Sequence, residues 1–316
     1  MIVREALEEY LAAKRPEMRH KTMSEARRIL GYFSDFCTER GIELDHIRPR
    51  IIYEYTDFLC ENRHSKQGGT LSSHTVFLHT TLIKAFLAWC TQDEEFEEYV
   101  RPSMVGKIKK PRQDKFVVET FTRDHIDALL KACDTGKTTS EKINTYLRDR
   151  NRAIVMLLVD TGIRAAELCG LRMKYLNLSP TDPHIRVFGK NDKWREIGLG
   201  ERCRKELRRF VRKHRNNERG TDAFVFRTRR DEPLEVRALI GIINQLGHDA
   251  GIQGVRCSPH TFRHSYAVAF MRESQDIYRL SKLMGHSSIR ITENYLKSFT
   301  QQDARRGAVS PLDAAF

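Results

Sequence analysis

The sequence predicts a mainly α fold with a small β component, arranged as an N-terminal helical bundle followed by a mixed α+β domain. Three observations carry that expectation. Apolar residues recur at spacings of three and four through most of the chain, the period of an amphipathic helix. Strand-like stretches are confined to Ile185–Ile197 and Phe224–Phe226. With 316 residues, the chain is also longer than a single core usually supports, roughly 250 to 300 residues.

Four stripes open the chain: Val3, Leu7, Tyr10 and Leu11; then Ala26, Ile29, Leu30, Phe33 and Cys37; then Ile51, Tyr55, Phe58 and Leu59; then Val76, Ile83, Leu87 and Cys90. Helices of this length with short joins make residues 1–100 a small bundle. Between the third and fourth stripes lies a basic, hydroxyl-rich loop from Arg63 through Lys66 to Ser73. It suits either phosphate contacts or plain solvation. Periodicity lapses over 101–118, where Lys107, Lys109, Lys110, Arg112 and Lys115 cluster. This stretch is expected to be a basic interdomain linker, laid along a polyanion or simply solvated.

The second domain is expected over 119–300. Thr122 is placed as an N-cap before Ile126, Leu129, Leu130 and Cys133. Asp134 to Lys142 reads as a polar loop, and Ala153 to Val159 as an apolar helix ending at Thr161 and Gly162. Arg164 opens the next helix, with Glu167 one turn on. Ile185 to Ile197 reads as two short strands around an Asn191–Asp192 turn that carries Lys190 and Lys193. Leu207, Phe210 and Val211 mark a helix, Phe224–Phe226 a short strand, and Leu239, Ile242, Ile243 and Leu246 another helix. Ser258 and Pro259 form a strong helix start, an N-cap followed by proline at the first helical position. On that helix His260 and Arg263 share a face. Gly285 ends the following helix, and Ser287 is placed to cap a last one carrying Tyr295 about two turns in. Residues 301–316 form a polar tail closed by Leu312 and Phe316.

Composition narrows the function classes. An apolar fraction of 40% and a charged fraction of 31% fit a soluble globular protein, and a net charge of +13 favours a polyanionic partner. No apolar run approaches the roughly 18 residues of a membrane span, and the N-terminus has no signal-peptide core. The seven cysteines show no C-x-x-C pair and several fall inside apolar stripes. They are expected to be reduced core residues in a cytoplasmic protein. His260 and His264 are spaced like a helical metal pair, but Thr261 stands where a zinc-protease motif has Glu, and no third ligand is nearby. No metal is expected.

Thr161 to Leu168, Gly189–Lys190, His260 to His264, and Leu283 to His286 with Tyr295 resemble, in this order, the motifs of tyrosine recombinases. These are the phage-integrase-like, site-specific DNA recombinases, and the spacing from His286 to Tyr295 agrees as well. The resemblance covers nearly the whole chain. It implies a SAM-like core-binding domain, the basic linker, a catalytic domain, and a tail that packs on a neighbouring subunit. It further implies Arg164 and Arg263 on the scissile phosphate, Lys190 as general acid with Lys193 as second candidate, His260 and His286 as phosphate ligands or proton handlers, and Tyr295 as nucleophile. His264 is then structural support beside Arg263.

The chemistry is consistent with that set. Guanidiniums are always charged and forked, so they hold both non-bridging oxygens of a phosphodiester and tighten as charge grows there. A phenol with a pKa near ~10 needs a base or a cationic field to attack. A lysine can protonate the leaving 5′ oxygen. A phosphotyrosine keeps the ester energy, so no cofactor is expected. The implied partners are double-stranded DNA and further copies of the chain, a dimer on one site and a tetramer on two; a membrane is not among them.

Plainer readings stand beside these: an Arg164–Glu167 surface pair, solvated turn lysines, a core Tyr295. Two departures from the family pattern are Phe262, where many relatives have Leu, and Arg290–Ile291, where a small Ser/Thr pair is frequent. A type IB topoisomerase or a catalytically silent DNA-binding protein are the alternatives. With no arm-site domain ahead of the first bundle, the resemblance points to the two-domain branch, either Xer-type chromosome-dimer resolution or a mobile-element recombinase.

Overall fold

The computed structural model describes residues 2–62, 71–112, 119–135, 140–189, 193–286, 288–293 and 295. The chain divides into two units, 1–116 and 117–316. No described helix is long and apolar enough to cross a membrane.

In the first unit the four apolar stripes become α1 (Val3–Lys14), α2 (His20–Glu39), α3 (Pro49–Asn62) and α4 (Ser73–Cys90). Their buried faces meet in one core in which Tyr55 packs edge-on against Phe33 and Phe36, and Tyr10 against Phe86. The Tyr55 hydroxyl is satisfied inside that core by Nδ1 of buried His79, 2.9 Å away. Ser72, read as loop, caps α4 by accepting from the Thr75 amide.

The expected linker starts too early. Residues 102–107 form a short helix, α5 (Pro102–Lys107), with proline in its first turn, and Val105 and Ile108 are buried in the first core. Six residues are too few to show a helical period, which is why the stretch reads as aperiodic.

The second unit is built around α7 (Glu141–Thr161), which packs against both α9 (Glu201–His214) and α11 (Pro259–Ser274). Before it comes α6 (Arg123–Ala132), capped by Thr122 as expected. Helix α7 begins at Glu141 behind the Ser140 cap, well before Ala153. Arg148, Asp149, Arg150 and Arg152 dilute its apolar stripe, so its first half does not read as helix. After α8 (Ala165–Cys169), β1 (Leu176–Asn177), β2 (His184–Phe188) and β3 (Trp194–Gly198) form an antiparallel sheet in the order β1-β2-β3. Val187 pairs with Arg195, and Ile185 with Ile197. The segment 224–226 is not a strand: Val225 and Phe226 are both fully buried, so successive side chains do not alternate, and single bridges tie Phe224 to Arg172 and Arg227 to Pro233.

The C-terminal elements are α10 (Val236–Asp249), α11, α12 (Ile277–Met284) and α13 (Ile289–Glu293). Ser258 caps α11 with Pro259 in its first turn, and Asp276 caps α12, accepting from the Arg279 amide at 2.8 Å. Helix α13 is described over Ile289–Glu293, and Tyr295, two residues further on, is again helical, of the tighter 3-10 kind. Ser287, the expected cap, is outside the described residues; the hydroxyl of Ser288 accepts from the Arg290 amide.

Candidate active site

The site is organised by the last turn of α12. A helix leaves its final carbonyls without intrahelical partners and carries partial negative charge at that end. Here Gly285, at φ +64, turns the chain into the left-handed region. The carbonyls of Ser281 and Lys282 are then closed by the amides of His286 and Gly285. The next three are each taken by a different arginine. Arg195 Nε donates to Leu283 O at 2.8 Å, Arg263 Nη2 to Met284 O at 2.6 Å, and Arg164 Nη2 to Gly285 O at 2.9 Å.

Those arginines come from three elements: Arg164 from the N-terminal flank of α8, Arg195 from β3 and Arg263 from α11. Glu167 holds two of them. Its Oε1 accepts from Nη1 of Arg164 and Nη1 of Arg195, both at 2.8 Å. Its Oε2 accepts from the Arg164 amide at 3.0 Å and from Arg195 Nη2 at 2.8 Å. Burial alone would raise this carboxyl, but the Arg195 and Arg164 bonds outweigh it and hold the pKa at about 2. Arg263 is buried and also donates Nη1 to Gly162 O at 2.9 Å. Gly162 is in the left-handed region at φ +56, and a Cβ there would sit 2.6 Å from the Tyr266 ring, so only glycine brings this carbonyl to Arg263. Burial and the neighbouring Arg164 pull the Arg263 pKa below its ordinary value, while Tyr295 and Glu167 favour its charge.

His286 joins this group with a defined tautomer. Its Nε2 lies 2.9 Å from Arg263 Nη2, and its Nδ1 lies 2.8 Å from Thr292 Oγ1. A guanidinium only donates, so Nε2 is the accepting nitrogen and the proton sits on Nδ1, given to Thr292. Burial first, then Arg263, Arg164 and Arg195, lower its pKa to about 4, so the ring is neutral at pH 7. Tyr295 is 8% exposed and its ring stacks on His286 with centroids 5.6 Å apart. The rings of His264 and His260 lie 5.4 Å and 6.3 Å from it. Burial, Arg263 and Arg256 lower His260 too, leaving a neutral imidazole at pH 7.

Arg164, His260, Arg263, His286 and Tyr295 are thus neighbours within one unit. Lys190 lies outside the described residues; the hairpin that carries it is closed by Gly189 N donating to Lys193 O at 2.9 Å, and Lys193 is exposed. Lys107, Lys109, Lys110 and Arg112 are exposed in the first unit, while Arg63, Lys66 and Lys115 lie outside the described residues. Among the described residues no group of three or more His, Cys, Asp or Glu is gathered as metal ligands.

Two residues escaped the sequence reading. Arg195 shares the inward face of β3 with Ile197, and a cation on an apolar strand face is a signal of a buried partner. Thr292, fully buried, carries no such signal, because its partner arrives from a loop.

Residues 119–302 match the Phage integrase family and residues 3–100 the Phage integrase SAM-like domain. Tyrosine recombinase XerD of Staphylococcus aureus is 29% identical over 294 residues, covering 92% of either chain. The fold is shared with XerH site-specific recombinase in a post-cleavage complex on palindromic difH substrate, with a TM-score of 0.73 and 18% identity over 90% of this chain and 78% of that one. It is shared also with the Tn1549 transposon integrase bound to transposon right end DNA, with a TM-score of 0.72 and 19% identity over 97% and 98%.

Proposed function

The chain belongs to the Phage integrase family and is a tyrosine recombinase, an enzyme of site-specific DNA strand exchange, and we propose that it works through a 3′-phosphotyrosine intermediate without metal, ATP or other cofactor. Arg164 and Arg263 bind the non-bridging oxygens of the scissile phosphate and strengthen their hold as charge accumulates there. The Tyr295 oxygen attacks phosphorus as its proton passes to His260, which is neutral at pH 7 and has an accepting nitrogen. The bond from phosphorus to the 5′ oxygen breaks, and Lys190 protonates that oxygen. His286, held neutral, steadies Arg263. The displaced or an incoming 5′ hydroxyl reverses the step and rejoins the strand. The basic residues of 63–66 and 107–115, together with Lys193, contact the flanking phosphates, and the enzyme acts as a dimer on one site and a tetramer on two.

One observation above all supports this: Arg263 donates to His286, and the His286 ring lies flat against that of Tyr295. The two guanidiniums and the phenol are therefore gathered by one chain. Nothing comparable favours a relaxing enzyme or a silent DNA binder. The test is a nicked duplex carrying a cognate site, on which the cleaved strand cannot be rejoined. A covalent protein–DNA adduct on the 3′ phosphate is expected from the native enzyme and none from Tyr295→Phe. An adduct that survives Tyr295→Phe, or one on a 5′ phosphate, overturns the mechanism.

A further inference from the structure

Arg195 occupies the site without belonging to any of the motifs that carry the family resemblance. Its two outer nitrogens clasp Glu167 at 2.8 Å each, and its Nε donates to Leu283 O at 2.8 Å. It is the least exposed partner in the Glu167 cluster, with a side chain at 12% against 28% for Arg164. A Cβ on Gly285 would stand 2.9 Å from Arg195 Nη1, so the turn at the end of α12 is packed directly on this guanidinium.

We infer that Arg195 is a positioning residue for strand cleavage, sharing the charge of Glu167 so that Arg164 stays available to the scissile phosphate. The inference rests on the assignment of Arg164 to that phosphate. Glu167 accepts four bonds, two from each arginine. With both present, one negative charge is divided between two cations, and Arg164 commits one guanidinium nitrogen to Glu167 and another to Gly285 O. Removing Arg195 leaves the buried carboxylate with Arg164 alone. An unshared carboxylate and guanidinium close into a two-pronged pair, which neutralises Arg164 and turns its fork away from any ligand. Arg195 also anchors the α12 end from which Arg164 and Arg263 hang, so both guanidiniums lose a fixed mount.

Single-turnover cleavage by Arg195→Gln, measured on the nicked substrate at saturating enzyme, is expected to fall roughly 10- to 100-fold, by analogy with the loss of outer partners that orient metal ligands. Two readouts separate positioning from a packing lesion. The first is a neutral methylphosphonate at the scissile position, which has less need of guanidinium charge: the fold-loss of Arg195→Gln should shrink there, and so should that of Arg164→Ala. The second is the double variant Arg195→Gln with Glu167→Gln, which removes the competing carboxylate and should cleave faster than Arg195→Gln alone. Equal fold-loss on both substrates, or a double variant no faster than the single one, overturns the inference. If instead Arg164→Ala itself loses as much on the neutral ester as on the phosphodiester, it is the underlying assignment of Arg164 that fails.

Discussion

Two buried carboxylates of the second unit make an instructive pair. Asp149 on α7 and Glu167 on α8 have side chains 1% and 4% exposed, and both are held at about pKa 2 against the raising effect of burial. Asp149 is met by His214 Nε2 at 2.8 Å, Lys213 Nζ at 3.0 Å and Arg148 Nε at 3.2 Å. Those partners sit on α7 itself or on α9, helices that already pack together, and Arg148 and Lys213 keep 39% and 47% of their side chains in water. Glu167 instead gathers Arg195 from a strand and Arg164 from its own helix start, and both also reach the end of α12. The local chemistry is the same, and the outcome differs with where the cations' other N–H groups lead. Around Asp149 they lead to solvent, so the cluster is a staple between helices. Around Glu167 they lead to a helix terminus beside a histidine and a tyrosine, so the cluster is a site.

The sharpest way to break this contrast is to remove a cation from each cluster. Arg164→Ala or Arg263→Ala should slow adduct formation by about 10²- to 10³-fold, the usual cost of losing one donor to a developing oxyanion. Arg209→Ala, beside Asp149 at 3.6 Å, should leave the rate unchanged. A comparable loss from Arg209→Ala would show that the Asp149 cluster takes part in cleavage.

Removing the carboxylates is expected to have a smaller effect and sharpens the distinction further. Asp149→Asn should lower unfolding free energy in urea by about 1–3 kcal/mol, the cost of disrupting buried charged hydrogen bonds, with cleavage per folded molecule preserved. Glu167→Gln should lower both. Equal effects of the two variants on cleavage would erase the difference between staple and site.

The smallest effect is gradual and appears with acid. Both carboxylates have folded pKa values below their ordinary ones, so their contribution is present above the ordinary carboxylate range and is lost as pH falls through it toward 2. His286 is also depressed, to about 4. The unfolded chain takes up that proton first, so stability declines as pH falls from about 6.5 toward 4. Urea midpoints followed from pH 7 downward should therefore begin to drop before Asp149 or Glu167 titrates, and His286→Asn should shrink that early part, the rest coming from the likewise depressed His260, while Asp149→Asn leaves it in place.

Much of this was legible before the coordinates. Arg164, Arg263, His286 and Tyr295 are picked out by the resemblance to the tyrosine-recombinase motifs, and the starts of α6 and α11 by Thr122 and by Ser258 with Pro259. What stayed hidden has physical causes. The first half of α7 is obscured by the charges that hold the Asp149 staple, so the polar residues that matter for packing are those that mask the period. Helix α5 is too short to have a period at all. Read locally, the pairing of Arg164 with Glu167 is a surface contact of little worth; its setting depends on Arg195, 28 residues from Glu167, a separation no local pattern reports. Thr292 sets the tautomer of His286 through a contact between a loop and a one-turn helix, and nothing in a one-dimensional pattern specifies that meeting.

The three carbonyls that end α12, those of Leu283, Met284 and the capping Gly285, are adjacent peptide units at the end of a single eight-residue helix. The site's cations are therefore hung from one peg, and they cannot be retuned one at a time. Adding or deleting a single residue between Asp276 and Gly285 would turn those acceptors by about 100° around the axis and unhook all three guanidiniums together. Engineering that aims to reshape this enzyme has wide freedom on the outer faces of its helices and almost none in the length of this one.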